Sequence, residues 1–136
     1  MTIIAAIHHV QIAIPAGGEM VARAFYADLL GLTEVPKPAS MAARGGAWYQ
    51  SGAVKVHLGV EKDFRANDKA HVAFLVEDVA ALAALAQLKG FKVKYDNELP
   101  GHTRAFIYDP FGNRIEILKP EPNFQNSVVL GKTVPC

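Results

Sequence analysis

The sequence predicts an α+β fold made of two βαβββ modules, and three observations support this prediction. The segment that begins at His9 recurs at His71, an offset of 71 − 9 = 62 positions. Each copy is followed by an amphipathic helical pattern that stops at a glycine, and each helix by three short strand-like runs. In one domain of 136 residues we therefore expect a first module over residues 5–64, a second over 69–119 and an extended arm over 120–136.

The first module contains a helical pattern from Glu19 to Leu30. Val21, Phe25 and Leu29 recur at steps of four residues, which puts them on one face of a helix. Gly31 follows, as expected at a helix C-terminus. Strand-like runs are expected in the order 7–14 before the helix and then 32–36, 47–50 and 54–60 after it.

The second module repeats this pattern with a helix over about 78–89 that stops at Gly90. Its apolar positions are Val79, Leu82, Leu85 and Leu88. Strand-like runs are expected over 71–76, 91–95, 104–108 and 114–118. Asp109-Pro110-Phe111-Gly112 carries type I turn preferences and predicts a hairpin between the last two strands.

In each module, one sheet face is expected to lie beneath the helix and the other to stay free. Joining the two free faces predicts a curved, half-open, barrel-like trough lined by both modules. Polar residues that alternate with the apolar core residues should line this trough.

The composition excludes several function classes. A net charge of +1 and a pI of 7.9 give no electrostatic basis for binding nucleic acid or an anionic membrane. The single cysteine, Cys136, has no internal partner, which favours a reducing, cytoplasmic location. The sequence contains no phosphate-binding loop, no serine elbow and no CxxC pair. No motif therefore supports nucleotide hydrolysis, catalysis by a serine nucleophile or dithiol chemistry.

Four residues form the candidate site, each opposite the apolar residues of its own predicted strand: His9, His57, His71 and Glu116. Since side chains alternate across a strand, all four are expected on the trough face. Imidazoles and carboxylates are ligands that a divalent transition metal takes. The pattern therefore predicts a metal site, although each histidine taken alone is more often an ordinary hydrogen-bonded residue.

Further residues are placed to bind a substrate. Gln11 shares a face with His9 and is positioned to orient a ligand oxygen. Trp48, Arg104 and Tyr108 lie on strands at the edge of the trough, and each is also explicable as a core or solvated strand residue. His8 falls on the apolar side of the alternation and His102 in a polar loop, so both are interpreted as ordinary residues.

Three segments resemble the vicinal oxygen chelate superfamily: FYADLLGL at 25–32, HVAFLV at 71–76 and DPFGNRIE at 109–116. This group includes glyoxalase I, fosfomycin-resistance thiol transferases, extradiol dioxygenases and bleomycin-resistance proteins. The resemblance covers about residues 5 to 119. It implies a facial metal triad of His9, His71 and Glu116, a divalent Fe, Mn, Ni, Zn or Co ion, and chelation of two neighbouring substrate oxygens.

His57 departs from the pattern of one branch of that superfamily. The resemblance to bacterial glyoxalase I implies a glutamate at the matching strand, where it shuttles the substrate's proton. The histidine favours either a site of three histidines and one carboxylate or a His57 that merely lines the trough. Glu116, if displaced from the metal, is placed to serve as a catalytic base.

The leading functional hypothesis is a metal-dependent lyase or isomerase of glyoxalase type, or a ring-cleaving dioxygenase. The alternative is a metal-free protein that sequesters a small drug, as bleomycin-resistance members do; the balance of 14 basic to 13 acidic residues argues against a cationic drug. Fosfomycin-type thiol transfer ranks lower because no recognisable set of basic and hydroxyl residues would hold a phosphonate. The resemblance also implies a homodimer.

Overall fold

The structure is a computed structural model that describes residues 1–123, and the chain divides into two compact units, Met1–Ala66 and Asn67–Cys136. Each unit contains a four-stranded sheet with one parallel pair and a helical connection. The predicted α+β fold of two βαβββ modules is thus confirmed. Most of the predicted arm, residues 124–136, lies outside the described residues.

The first unit follows the predicted order of elements with one addition, a short helix between its second and third strands. Its strands form a sheet in the order β1-β4-β3-β2, in which β1 runs parallel to β4. The backbone of Gly31 has a φ of +73°, which ends the helical segment where the sequence predicts it. The elements are β1 (Val10–Ile14), α1 (Glu19–Arg23) with a π-helical continuation (Ala24–Leu29), β2 (Thr33–Val35), α2 (Ala39–Ala42), β3 (Ala47–Ser51) and β4 (Val54–Val60).

The second unit has the same topology, with strand order β5-β8-β7-β6 and a parallel β5–β8 pair. Its elements are β5 (Val72–Leu75), α3 (Val79–Leu88), β6 (Val93–Asp96), β7 (His102–Tyr108) and β8 (Arg114–Pro120). The shared order confirms the repeat that the sequence predicts.

Local hydrogen bonds fix the ends of these elements. Asp78 caps α3, because its carboxylate accepts a hydrogen bond from the Ala81 N–H at 2.9 Å. The carboxylate of Asp109 accepts hydrogen bonds from the N–H groups of Phe111 and Asn113. The predicted turn after β7 is therefore confirmed, and it leads directly into β8.

The helices bury faces that differ from the predicted ones. In α3, Val79, Ala83 and Ala86 are buried, whereas Leu85 and Leu88 are 39% and 84% exposed. The predicted stripe of leucines is wrong, since apolar residues surround this helix and its small alanines allow the closest approach to β6, β7 and β8.

The first helical segment shows a smaller departure from its predicted face. Phe25 and Leu29 are buried as expected, while Val21 is 53% exposed. Tyr26 is buried in addition, and its ring lies 5.9 Å from that of Tyr49 on β3. The buried residues Ala22, Phe25, Tyr26 and Leu29 follow the three- and four-residue steps of one helix face, and Val21 lies beside that face.

In each sheet the buried apolar residues alternate with polar ones. Val56 and Leu58 are buried on either side of His57, and Ile115 and Ile117 on either side of Glu116. Among residues 1–123, no helix is long and apolar enough to cross a membrane. The polar positions of β4 and β8 are the starting point for the candidate site.

Candidate functional site

In the first unit, His57 lies between two other rings. Its imidazole stacks on the indole of Trp48 with centroids 4.0 Å apart and on the ring of His9 with centroids 4.1 Å apart. The Trp48 contact follows from register, because β3 pairs Trp48 with His57. The structure therefore brings together three residues that the sequence predicts for the site.

This ring stack lies in a pocket of about 360 Å³ within the first unit. Gln11 is also on its wall, beside His57 in the β1–β4 register. The remaining lining residues are His8, Val35, Met41, Tyr49, Gln50 and Lys55. A mainly apolar pocket with a few polar groups is the usual form of a small-molecule site.

His8 was interpreted from the sequence as an ordinary residue, yet it lines this pocket. Its Nδ1 is 3.0 Å from Nδ1 of His9, and its Nε2 is 3.4 Å from Nζ of Lys55. Strand β1 begins only at Val10, so strict alternation does not extend back to His8. Alternation counted along the sequence therefore misplaces it.

Burial lowers the pKa of His57 below its ordinary value of 6.5. Electrostatic interactions with His9, His8 and Lys55 lower this pKa further. Desolvation and like charges both disfavour the imidazolium form. His57 is therefore neutral at pH 7, as a metal ligand or proton acceptor must be.

The side chain of Gln11 rests on the backbone of Gly59. A Cβ atom at position 59 would lie only 2.5 Å from Nε2 of Gln11. The glycine thus leaves room for the amide, and the amide lies across the sheet beside His57. This packing supports the predicted role of Gln11 in orienting a ligand.

In the second unit, His71 and Glu116 are in direct contact. Nε2 of His71 lies 3.0 Å from Oε1 of Glu116, and Nδ1 of His71 lies 2.8 Å from the carbonyl oxygen of Lys69. A carbonyl oxygen only accepts hydrogen bonds, so Nδ1 carries a hydrogen. In neutral His71 the lone pair of Nε2 therefore faces the carboxylate.

Arg104 joins the same carboxylate to a second acidic residue. Its Nε donates to Oδ1 of Asp96 at 2.7 Å, and its Nη1 lies 3.4 Å from Oε1 of Glu116. The hydrogen bond from Arg104 lowers the pKa of Asp96 and raises that of Arg104. Arg104 is thus engaged within the protein, although the sequence placed it as a substrate-binding residue.

Tyr108 and Phe106 form an aromatic strip beside this network. The guanidinium carbon of Arg114 lies 5.0 Å from the Phe106 centroid and 5.9 Å from the Tyr108 centroid. The sequence placed Arg114 only at the start of the last predicted strand and assigned it no role. Arg114 lies two residues before Glu116 on β8, and this spacing alone would have placed both side chains on the same face of the strand.

Potential metal ligands occur in both units. Among residues 1–123, no group of three or more His, Cys, Asp or Glu side chains is arranged as a ready metal site. His102 shares the Nδ1–carbonyl contact of His71, at 2.9 Å from the Pro100 oxygen. In His71, the other ring nitrogen faces the carboxylate of Glu116.

Comparisons with known proteins agree with this fold. Residues 6–117 match the model of the Glyoxalase/Bleomycin resistance protein/Dioxygenase superfamily. The chain is 39% identical to a glyoxalase family protein from Bacillus anthracis, with 89% of this chain and 99% of that chain covered and a TM-score of 0.84. No curated protein gave a match.

More distant structures share the fold. The antibiotic-binding protein TnmS3 from Streptomyces sp. is 19% identical, with 89% of this chain and 100% of that chain covered and a TM-score of 0.68. The fosfomycin resistance protein FosX from Listeria monocytogenes is 12% identical, with coverages of 93% and 99% and a TM-score of 0.73. At these identities the likeness concerns the backbone alone.

Proposed function

The chain belongs to the Glyoxalase/Bleomycin resistance protein/Dioxygenase superfamily, and we propose that it is a divalent-metal-dependent enzyme that acts on a small substrate with two neighbouring oxygens. The proposed ligands in the second unit are His71 and Glu116. The reaction class is a glyoxalase-type lyase or isomerase, or a ring-cleaving dioxygenase.

The observation that carries this proposal is the geometry of His71 and Glu116. Two hydrogen-bond acceptors 3.0 Å apart repel one another unless a proton or a metal ion lies between them. A divalent ion bound here would be held by both side chains and would remove this repulsion. The carbonyl of Lys69 holds the ring in the tautomer that exposes Nε2, as outer partners of metal-bound histidines do. This pair of side chains supports two of the ligands that a divalent ion requires.

The remaining site chemistry follows from the protein's own groups. A bound divalent ion supplies a Lewis acid that polarises substrate oxygens. Glu116, if displaced from the ion, is placed to accept a substrate proton. Arg104 holds that carboxylate in place through its 3.4 Å contact.

The proposal is tested by metal content and thermal stability after separate anaerobic addition of Fe(II), Mn(II), Ni(II), Zn(II) or Co(II). We expect about one equivalent of one ion, together with a rise in melting temperature. The preferred ion separates oxygen chemistry, which favours iron, from lyase chemistry, which favours nickel, zinc or manganese.

His71→Ala and Glu116→Gln should abolish both effects. His102→Ala is the matched control, since it removes a histidine whose Nδ1 also contacts a backbone carbonyl. Equal binding in the wild-type protein and in His71→Ala would overturn the proposal.

The pocket of the first unit favours a second candidate function, metal-free binding of a planar small molecule. Its volume of about 360 Å³ and its Trp48–His57–His9 ring stack suit an aromatic ligand. Trp48 is the one tryptophan of the chain, so its fluorescence reports on this pocket. Quenching by an aromatic ligand in a preparation that binds no ion would favour sequestration.

A further inference from the structure

Two arginines flank the ring of Phe106 on the polar face of the second unit. The guanidinium carbons of Arg104 and Arg114 lie 5.1 Å and 5.0 Å from its centroid. The two arginines differ in whether an acidic side chain neutralises the guanidinium charge. Arg104 is paired with Asp96 and Glu116, whereas the side chain of Arg114 forms no ion pair within residues 1–123 and its Nε has no hydrogen-bond partner there.

The position of Arg114 is set by packing and not by a counter-ion. Its Nε is buried without a hydrogen-bond partner. The side chain lies against Phe106 and Tyr108, which holds the flat guanidinium in place by cation–π contact. A buried N–H with no acceptor is costly, and such groups in native proteins call for an explanation.

Neighbouring groups add positive charge instead of neutralising it. Nζ of Lys92 lies 4.7 Å from the centroid of the Tyr108 ring. Tyr108 is paired with Arg114 in the β7–β8 register, so both cations contact one ring.

Arg114 also stands close to the proposed metal ligands. It precedes Glu116 by two positions on β8, on the same face of the strand and about 7 Å away along the chain. A guanidinium presents parallel donors that match a carboxylate in a bidentate manner. A ligand held at Glu116 is thus within reach of this charge.

We propose that Arg114 binds a carboxylate of the substrate, so that the substrate class is a small organic acid. Two neighbouring oxygens of that acid are directed to the metal, and a separate carboxylate is directed to Arg114. The part of this inference that directs two oxygens to a metal rests on the proposed function. The recognition by Arg114 does not itself require the ion.

The first experiment uses the metal-free, full-length protein and the NMR signals of arginine Nε–H groups, with Arg114 assigned by Arg114→Met. Benzoate should shift the Arg114 signal saturably, while benzamide, which has the same ring but no charge, should not. Because this measurement needs no metal, its result is separate from that of the proposed function. Equal shifts with both compounds, or none with either, would overturn the inference.

The second experiment compares acids with their methyl esters on the metal-loaded protein. The probes are 2,3-dihydroxybenzoate and 3,4-dihydroxybenzoate, which place the carboxylate at two distances from the paired oxygens. At least one acid should bind about tenfold more tightly than its ester. Arg114→Met should remove this ratio and leave the ester affinity unchanged, while Arg114→Lys should restore part of it.

Lys92→Met is the matched control, because it removes one positive charge that contacts the same tyrosine ring. It should leave most of the acid-to-ester ratio intact. An equal loss in Lys92→Met and Arg114→Met would show a diffuse charge effect and contradict a specific site. A wild-type protein that binds no ion would refute the proposed function, and the benzoate titration would still decide the role of Arg114.

Discussion

The two units use one backbone pattern to present two different kinds of polar face. His57 occupies the centre of the first sheet, paired with Gln11 and Trp48. Glu116 occupies the equivalent centre of the second, paired with Ala73 and Phe106. The first face therefore carries a stack of aromatic rings, and the second carries a carboxylate that contacts His71 and Arg104.

Flanking positions diverge in the same way. Arg104 precedes Phe106 by two residues, and its counterpart before Trp48 is Gly46. The counterpart of Arg114 is Lys55, which lies beside His8 and not over an aromatic pair. Duplication thus supplies the scaffold, while exchanges at a few paired positions decide whether a face is suited to stacking or to charge recognition.

The largest effect is expected from Gly46→Ala, which adds the smallest possible side chain where the second unit has an arginine. A Cβ there would lie 2.1 Å from the Leu58 carbonyl oxygen, at a φ of +82°. We expect a loss of about 3 kcal/mol or more in the free energy of unfolding, measured by urea denaturation. Gly31→Ala, at a φ of +73° with no atom within 4 Å, should cost only about 1 kcal/mol. Similar losses would show that backbone strain, not the clash, dominates.

Glu116→Gln removes the charge that distinguishes the second sheet while keeping the size of the side chain. Metal affinity should fall by about 100-fold or more, because loss of a ligand exceeds the effect of losing an outer partner. Titration calorimetry with the preferred ion measures this. Asp96→Asn is the control, since it alters the other carboxylate on Arg104. Unchanged affinity in Glu116→Gln would show that the ion binds elsewhere.

Gly59→Ala tests whether the two sheets exchange a large and a small side chain between two neighbouring positions. The first sheet combines a large Gln11 with Gly59, and the second has Ala73 and Leu118 at the equivalent positions. The added methyl should displace the Gln11 amide at a cost below about 1 kcal/mol. In a double-mutant cycle with Gln11→Ala, that cost should vanish, because the clash is with the flexible amide. An undiminished cost in the double variant would contradict this.

The smallest effect is expected for the pH dependence of stability that results from His57. Its folded-state pKa is lowered from 6.5 by burial and neighbouring positive charge. As the pH falls below 6.5, the unfolded chain takes up a proton that the folded chain resists, so stability is lost until the pH passes the folded pKa. His57→Gln should flatten this part of the curve, measured as thermal stability between pH 7.5 and about 5. A steeper curve in the variant would refute the assignment.

The sequence predicted which side chains share a strand face, but it did not predict most of the contacts between side chains of different strands. Strand alternation identified His57 and Glu116 because the period of two is a local property of extended backbone. It gave no reason to expect that Arg104 would be held by Asp96, since that contact depends on the β6–β7 register. Arg114 was missed for the same reason: its stacking on Phe106 depends on strand pairing.

The sequence by itself determined the repeat, the order of strands and helices, the stop at Gly31 and the turn that begins at Asp109. These depend on periodicity and on the backbone preferences of single residues, which act over a few positions. Tertiary structure decided which face of α3 is buried, how His57 comes to lie between two rings and which of two arginines keeps an unpaired charge. Those outcomes depend on packing distance and strand register, because they join residues far apart in the chain.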